Sequence, residues 1–336
     1  MKIKIDVADI HQILKVSTDE KISIVAYENI VYVIGDIKSG KDDLSLDQVM
    51  CKCDYPWIEE PGKTLISRNV LKSLPTNGDL TITENTLECG KRKITYKLDN
   101  QVAEPTKYLK DIYTVNKKIF DDLIEVEYAL AKDETRPILT GMFINKDECV
   151  ALDGFRVSIR KSEGLTIPET LLPSKLIKSY RKVKNKAKEV TILETVDDIA
   201  LKVGNIVILV AKLQGEYIKY KDIIPNEFSK KAVIDSTELL RLLKSYNDVK
   251  YVKLNFTKEE LTIISKNETL TIEDKIDCKF EGEDLEIAFN CKYLIETIKH
   301  YENMIFKFNS SVSPLVITDG VNKIDMLLPV RIKKDN

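Results

Sequence analysis

The chain has 336 residues, 43% hydrophobic and 32% charged, so it can bury several hydrophobic cores and is too apolar to be disordered throughout. Its 52 basic and 54 acidic residues leave a formal net charge of -2, which excludes a uniformly basic nucleic-acid-binding surface and requires any such surface to be local. No apolar run reaches membrane-spanning length and the first residues lack a secretory-signal pattern, so we expect a cytoplasmic protein without a membrane partner.

Two helices are predicted in the first third of the chain, among short alternating strands. Residues 7–15 carry apolar side chains at helical spacing and follow Asp6, a suitable N-cap. Residues 67–74 predict a second helix that begins at Ser67 and stops before a proline. Runs such as ISIVAYENIVYVIG alternate between apolar and polar residues and predict strands.

The same order of elements then recurs twice. The later predicted helices span 116–131, 174–188, 236–246 and 290–301. An alternating strand block follows each pair of helices. A repeat of roughly 110 residues predicts three copies of one α+β domain, each with two helices packed on antiparallel sheets.

Short polar links set the expected domain bounds. One link contains Pro105 and another contains Pro225, and neither is long enough for a flexible tether. We therefore predict domains at 1–106, 107–225 and 226–336, with sheets that continue from one domain to the next.

The stretch from 136 to 158 combines a hairpin with an unusual exit. Apolar residues flank a charged turn at 145–148, which predicts two paired strands. Residues 153–154, Asp-Gly, allow a positive-φ turn, and an aromatic, a cation and an aliphatic residue follow at 155–157. The pattern fits an ordinary hairpin with a polar exit as well as a binding site.

Several features resemble catalytic or metal sites without completing one. Residues 35–41 have the spacing of a phosphate-binding loop, but an aspartate follows where a Ser or Thr is required. Cys51 and Cys53 lack further metal ligands nearby, and the six cysteines fit core positions in a reducing compartment. His11 and His300 fall in predicted helices without a nucleophile motif beside them. We therefore expect no enzyme activity, no metal and no cofactor.

Cations are frequent on the predicted helices, above all on 174–188. Positions 175, 178, 182 and 186 recur at helical spacing, so several cations can share one stripe. A solvated face is one interpretation, and contact with the phosphates of a duplex is the other. The candidate DNA-facing residues are Arg68, Lys72, Lys117, Lys118, Lys175, Lys178, Arg181, Lys182, Arg241, Lys244, Lys292 and Lys299.

Taken together, several segments resemble the bacterial sliding clamp family, the β subunit of DNA polymerase III. They are RPILTG at 136–141, which is similar to a strand of that family, DGFR at 153–156, GEYIKY at 215–220, IIP at 223–225, FNCKYL at 289–294, VSPL at 312–315 and LPVR at 328–331. The resemblance covers all three predicted domains in order and is most marked in the second and third.

The resemblance implies a DNA polymerase processivity factor that performs no bond chemistry. Two chains of the family close head to tail as a homodimer, and their six domains form a ring with helices around duplex DNA. Such a ring tethers DNA polymerase III, the clamp loader and other replication and repair proteins by topology, in the cytoplasm at the nucleoid. The alternative is a divergent monomeric clamp-like protein that binds replication proteins without encircling DNA.

The resemblance also implies a pocket for short apolar partner peptides between domains 2 and 3. Its residues are Leu139, Leu152, Gly154, Phe155, Arg156, Val157, Ile218, Asp222, Ile223, Asn290, Tyr293, Val312, Pro314, Met326, Leu328, Pro329, Val330 and Arg331. Leu152, Phe155 and Ile218 stand where the family usually has Thr, His and Pro, so we expect a more apolar pocket. Arg156 and Asn290 are expected to hold polar groups of the peptide, and replacement of Arg156 is expected to weaken binding and leave the fold intact.

Overall fold

The computed structural model describes residues 1–38, 46–97, 101–106, 109–133, 135–183, 185–246, 249–266 and 271–331. Its strands are β1 (Lys2–Asp6), β2 (Lys21–Ala26), β3 (Val31–Asp36), β4 (Gln48–Lys52), β5 (Trp57–Glu60), β6 (Gly62–Ser67), β7 (Asp79–Ile82), β8 (Thr86–Cys89), β9 (Arg92–Thr95), β10 (Lys110–Asn116), β11 (Gly141–Lys146), β12 (Glu148–Leu152), β13 (Arg156–Lys161), β14 (Ile167–Pro173), β15 (Glu189–Glu194), β16 (Asp198–Val203), β17 (Ile206–Ala211), β18 (Lys230–Asp235), β19 (Tyr251–Phe256), β20 (Glu260–Lys266), β21 (Thr271–Glu281), β22 (Leu285–Asn290), β23 (Asn303–Phe308), β24 (Leu315–Thr318) and β25 (Lys323–Leu327).

The helices are α1 (Val7–Val16), α2 (Arg68–Lys72), α3 (Lys117–Leu123), α4 (Ser174–Tyr180), α5 (Ser236–Ser245) and α6 (Cys291–Ile298). Short 3₁₀ helices span Ile124–Ala129, Pro137–Thr140 and Tyr220–Ile223. Within the described residues, no helix is long and apolar enough to cross a membrane.

The first of two compact units comprises Met1–Asp121 and Leu172–Leu213. It holds a five-stranded sheet in the order β5-β1-β7-β8-β9 and an eight-stranded sheet in the order β10-β15-β16-β17-β4-β3-β2-β6. The pairing of β17 with β4 joins strands from the first and second predicted domains, so the sheet continues between them as expected.

The second compact unit comprises Asp122–Leu171 and Gln214–Asn336. It holds a twelve-stranded sheet in the order β14-β11-β12-β13-β25-β24-β23-β18-β21-β20-β19-β22. Here β13 pairs with β25, which joins the second and third predicted domains. A core rich in phenylalanine lies among the strands and under α5 and α6, with Phe256, Phe289 and Phe306 almost fully buried. The α+β prediction of helices on antiparallel sheets is confirmed, whereas the three domain bounds stay a prediction.

Local sequence signals place the helix starts well. Asp6 accepts a hydrogen bond from the amide of Ala8 at 2.8 Å, and Asp235 caps α5 in the same way. Ser67 precedes α2 as predicted but makes no hydrogen bond as a cap.

The structure corrects three sequence predictions. The helix predicted over 116–131 becomes a 3₁₀ helix after Leu123, and the helix predicted over 174–188 ends at Tyr180. The segment at 137–140, which resembles a family strand, is a 3₁₀ helix that begins with a proline. Part of the loop at 35–41, together with residue 184, lies outside the described residues.

Candidate functional site

The turn at 153–155 is shaped by one aspartate and one glycine. Asp153 Oδ1 accepts hydrogen bonds from the amides of Phe155 at 3.0 Å and Arg156 at 3.1 Å. Gly154 has φ +87, a left-handed conformation that L side chains rarely adopt. The turn therefore projects the Phe155 side chain outward and returns the chain into β13.

A buried apolar cluster forms the base beneath this turn. It contains Leu139, Leu152, Val157 and Met326, four of the predicted pocket residues, together with Tyr220. Val157 lies opposite Met326 in the β13–β25 ladder. These four pocket residues, which are far apart in sequence, thus belong to one packed cluster inside the second unit.

Exposed apolar side chains lie in the segments that border this base. Phe155, Ile218, Ile223, Val312 and Leu328 are between 39% and 65% exposed. The Leu328 amide donates to the Phe155 carbonyl at 2.9 Å, and the Phe155 ring lies 6.1 Å from that of Tyr293. We call these five residues the apolar rim. Exposed large apolar side chains in segments that border a buried base can form a binding surface.

Arg156 is buried inside the protein rather than presented to a ligand. Only 3% of it is exposed. Its Nε donates to Asp153 Oδ2 at 3.0 Å, one Nη donates to Glu296 Oε2 at 2.6 Å and the other donates to the Tyr128 carbonyl at 2.5 Å. Its guanidinium also lies 4.3 Å from the centroid of the Tyr293 ring. Four groups contact this buried cation, so its replacement should also lower the stability of the fold. Its expected effect on peptide binding stays a prediction.

The other predicted polar group of the pocket also has an internal role. Asn290 Oδ1 accepts from the Tyr293 amide at 3.2 Å and caps α6. Val330 is fixed through its amide, which donates to the Ala288 carbonyl at 2.8 Å. Asp222 and Arg331 are exposed, while Pro314 and Pro329 are partly buried.

Sequence patterns did not reveal the polar groups that support the base. The Tyr220 hydroxyl donates to Glu148, and Lys221 Nζ lies 2.6 Å from Glu148 Oε1. Burial alone raises the pKa of Glu148, but the hydrogen bonds from Lys221 and Tyr220 outweigh burial and lower it below its ordinary value. The carboxylate therefore stays charged and holds the 3₁₀ helix at 220–223 against β12.

A second buried ionic group lies behind the pocket. Arg160 Nη1 donates to Asp325 at 3.1 Å, and the hydroxyls of Tyr128 and Tyr301 each donate to Asp325 at 2.5 Å. Burial is the main cause that raises the pKa of both tyrosines. The ring of His300 stacks on Tyr128, and burial lowers the pKa of His300 to about 4. Each hydrogen bond to Asp325 joins residues at least 24 positions apart in sequence, so no local motif predicts it.

The predicted cations of the first unit divide into two groups. Lys117 is paired with Asp121 at 2.7 Å and Lys175 with Asp47 at 2.5 Å. Arg68 donates to the carbonyl of Leu14. The remaining predicted cations of this unit are exposed, namely Lys72, Lys118, Lys178, Arg181 and Lys182. Arg181 lies 3.9 Å from Asp121.

The predicted basic stripe is shorter than expected. Because α4 ends at Tyr180, positions 182 and 186 do not continue the helical face of 175 and 178. In the second unit, Arg241, Lys244, Lys292 and Lys299 are all exposed, on α5, on α6 or directly after it.

The cysteines and the other possible metal ligands do not form a reactive or metal-binding site in the part of the chain that the structure describes. All six cysteines are buried free thiols, and burial raises the pKa of Cys51, whose Sγ donates to Asp9 at 3.5 Å. Across the described ranges, no group of three or more His, Cys, Asp or Glu side chains is arranged to hold a metal ion.

Two domain models of one family match the chain. The DNA polymerase III beta subunit central domain matches residues 114–219, and its C-terminal domain matches residues 221–329. A beta sliding clamp of Chlamydia pneumoniae is 28% identical over 231 residues, which cover 63% of each protein. One of Staphylococcus aureus is 25% identical over 244 residues, which cover 66% of this chain and 64% of the relative. The matched segment therefore spans less than two thirds of either relative.

Solved structures resemble the whole described fold. The DNA polymerase sliding clamp of Bacillus subtilis has a TM-score of 0.85 at 22% identity, with 99% of this chain and 100% of that chain covered. The DNA polymerase III beta subunit of Thermotoga maritima has a TM-score of 0.84 at 22% identity, with 98% and 100% covered. At this identity, the likeness establishes the fold.

Proposed function

We propose a function from one premise: the chain belongs to the DNA polymerase III beta subunit family, since two domain models of that subunit together match more than half of its residues. The family prediction is thereby confirmed. We propose that the chain is a sliding clamp, a non-catalytic processivity factor in DNA replication. Two copies close head to tail around duplex DNA, and the domains at 1–106, 107–225 and 226–336 supply half of a six-domain ring.

The apolar rim over its buried base is the observation that supports tethering. It offers anchoring sites for the apolar side chains of a short peptide, and large anchors in such sites supply most of the binding energy of an interface. The proposed partners are DNA polymerase III and the clamp loader, which bind through short apolar motifs, in the cytoplasm at the nucleoid.

A topological experiment tests the ring. The chain is loaded onto nicked circular DNA by a clamp loader and then separated from free protein on a sizing column. We expect retention on the intact circle and release after one restriction cut, because a ring held by topology slides off a free end. Escape from the intact circle at the same rate would contradict the proposal.

Solution mass separates the ring from the monomeric alternative. Light scattering on a sizing column should report twice the 38.4 kDa of one chain. A single-chain mass across the working concentrations would favour a clamp-like protein that binds replication proteins without encircling DNA.

A peptide titration tests the pocket. Phe155→Ala should weaken binding of a polymerase tail peptide about tenfold, because it removes a large exposed anchor of the rim. Val321→Ala, another exposed apolar residue of the second unit, is the matched control and should leave the affinity unchanged. Equal affinities for both variants and the parent would place the peptide elsewhere.

A further inference from the structure

The first unit contains an acidic cavity that has no role in the proposed clamp function. A cavity of about 740 Å³ is lined by residues at the start of α1, on β1 and on β5, and by loops near residues 54, 185 and 204. Four of its lining residues are aspartates and one is a lysine. That lysine, Lys4, lies 2.6 Å from Asp79, so its charge is already matched.

Two of the remaining carboxylates converge on one amide. Asn205 Nδ2 donates to Asp9 Oδ1 at 3.1 Å and lies 3.4 Å from Asp54 Oδ2. Asp9 is only 5% exposed. Within the described residues, neither Asp9 nor Asp54 forms an ion pair with a cation. The two negative charges repel each other, and a cation between them or an added proton would relieve that repulsion.

Burial and the charge of Asp54 raise the pKa of Asp9, although hydrogen bonds from Cys51 and Asn205 oppose this rise. Asp9 therefore takes up a proton more readily than an ordinary carboxylate, and a cationic ligand would compete with that proton.

Exposed aromatic rings border the same carboxylates. Tyr55 is fully exposed, directly after Asp54, and its φ of 50 is rare for a residue other than glycine. Trp57 is 50% exposed and lies opposite Lys4 in the β1–β5 ladder. Rings of this kind bind planar cations on their faces, and arginine is the side chain that combines such stacking with paired hydrogen bonds to carboxylates.

We propose that this cavity binds an arginine side chain from a basic segment of a partner protein, with the guanidinium at Asp9 and Asp54 and its flat face against the exposed rings. The charge selects a cation, and the aromatic border selects a guanidinium over an ammonium. A nucleic-acid ligand is disfavoured, because its phosphates would face carboxylates. The inference does not depend on ring closure or on the apolar rim.

Trp57 makes the proposal directly measurable, since it is the only tryptophan of the chain. The full chain is titrated with the capped peptide Gly-Arg-Gly-Arg-Gly-Arg-Gly while tryptophan emission is recorded. We expect a saturable change in emission whose midpoint moves to higher peptide concentration as salt is raised. The same peptide with citrulline, a neutral analogue of arginine, should produce no saturable change, and the lysine version should bind several-fold more weakly.

Single substitutions test which residues of the cavity contact the arginine peptide. Asp54→Asn should weaken the arginine peptide about tenfold, as expected when a charge-assisted hydrogen bond is lost. Tyr55→Ala should weaken it several-fold. Asp111→Asn replaces an exposed aspartate elsewhere in the same unit and should bind like the parent. Thermal unfolding of each variant confirms that the fold is retained.

Four results would each overturn the proposal: no saturable change with the arginine peptide, equal binding of the citrulline peptide, unchanged affinity of Asp54→Asn, or a saturable change with a single-stranded oligonucleotide instead. Equal binding of the lysine peptide would overturn the selection of a guanidinium. Retention on circular DNA is measured separately, so failure here and failure of the ring remain distinguishable.

Discussion

Arg156 holds the candidate pocket together from inside. It connects the turn at Asp153, the helix α6 through Glu296 and the 3₁₀ helix through the carbonyl of Tyr128. Arg156 thus positions Phe155 and Tyr293, two residues of the proposed peptide pocket. A buried cation with two carboxylate partners leaves uncompensated charges when it is removed.

Arg156→Ala should therefore lower the free energy of unfolding by about 3 kcal/mol. Urea unfolding followed by circular dichroism measures this loss. Arg331→Ala removes an exposed cation of the same predicted pocket and should change stability by less than about 0.5 kcal/mol. Equal stabilities of the two variants would show that the buried contacts of Arg156 contribute little.

His300 makes stability depend on pH. Burial, assisted by Arg160, lowers the pKa of His300 to about 4 from its ordinary value of 6.5. Between pH 6.5 and about 4, His300 is protonated in the unfolded chain but stays neutral in the folded chain. Its contribution to the free energy of unfolding is therefore complete above pH 6.5 and decreases as the pH falls towards 4.

From pH 7.5 to pH 5, this group alone should remove about 2 kcal/mol from the free energy of unfolding. His300→Gln should reduce that decrease, because glutamine does not titrate. Urea midpoints at both pH values, for parent and variant, measure the difference. A pH dependence that is identical in the two proteins would assign the effect to other groups.

At the start of α6, one residue, Asn290, is both the helix cap and a predicted contact of the peptide. Asn290 ends β22 and caps α6 through the Tyr293 amide. Asn290→Ala should cost about 1 kcal/mol of stability, whereas Asn290→Asp preserves an acceptor at the cap and should cost much less. If Asn290→Asp keeps its stability but loses peptide affinity, Asn290 also contacts the peptide. If only Asn290→Ala loses stability and peptide affinity, while Asn290→Asp keeps both, Asn290 acts only as a cap.

The cations of α4 lead to a prediction about salt. Lys178 and Lys182 are exposed, whereas Lys175 is tied to Asp47. If the two exposed lysines meet phosphates, the Lys178→Ala, Lys182→Ala double variant should reduce the slope of log affinity for duplex DNA against log salt by about 2. Lys175→Ala should change the slope far less. Equal slopes for the double variant and the parent would remove this surface from the proposed DNA contact.

Helix starts and the α+β order could be predicted because their signals are local, as with Asp6 before α1. The end of α4 could not. In a continued helix, Lys178 and Lys182 would lie one turn apart, where like charges repel each other. The Asn185 side chain donates to the Val203 carbonyl at 2.8 Å, 18 residues away in sequence.

The site was predicted in the same uneven way. Family likeness predicts apolar positions such as Leu139 and Met326, and these two residues share one buried cluster. Their role in peptide binding stays a prediction. The internal partners of Arg156 were missed because Glu296 lies 140 residues away in sequence.

On the scale of the whole molecule, strand pairing rather than linker length determines which parts of the chain depend on each other. Each compact unit combines strands from two predicted domains, through β17 with β4 in one and β13 with β25 in the other. The sequence links at Pro105 and Pro225 therefore do not separate sheets.

The β13–β25 ladder has a practical consequence for anyone who dissects the gene. Arg156 to Arg160 pair residue by residue with Leu327 to Lys323, so a fragment that stops at Pro225 loses the whole partner strand. The backbone N–H and C=O groups of β13 that pair with β25 would then be unpaired, and they could form hydrogen bonds with a strand of another molecule. Truncated products should accordingly precipitate or associate, and expression trials are better planned around intact sheets than around the apparent repeats.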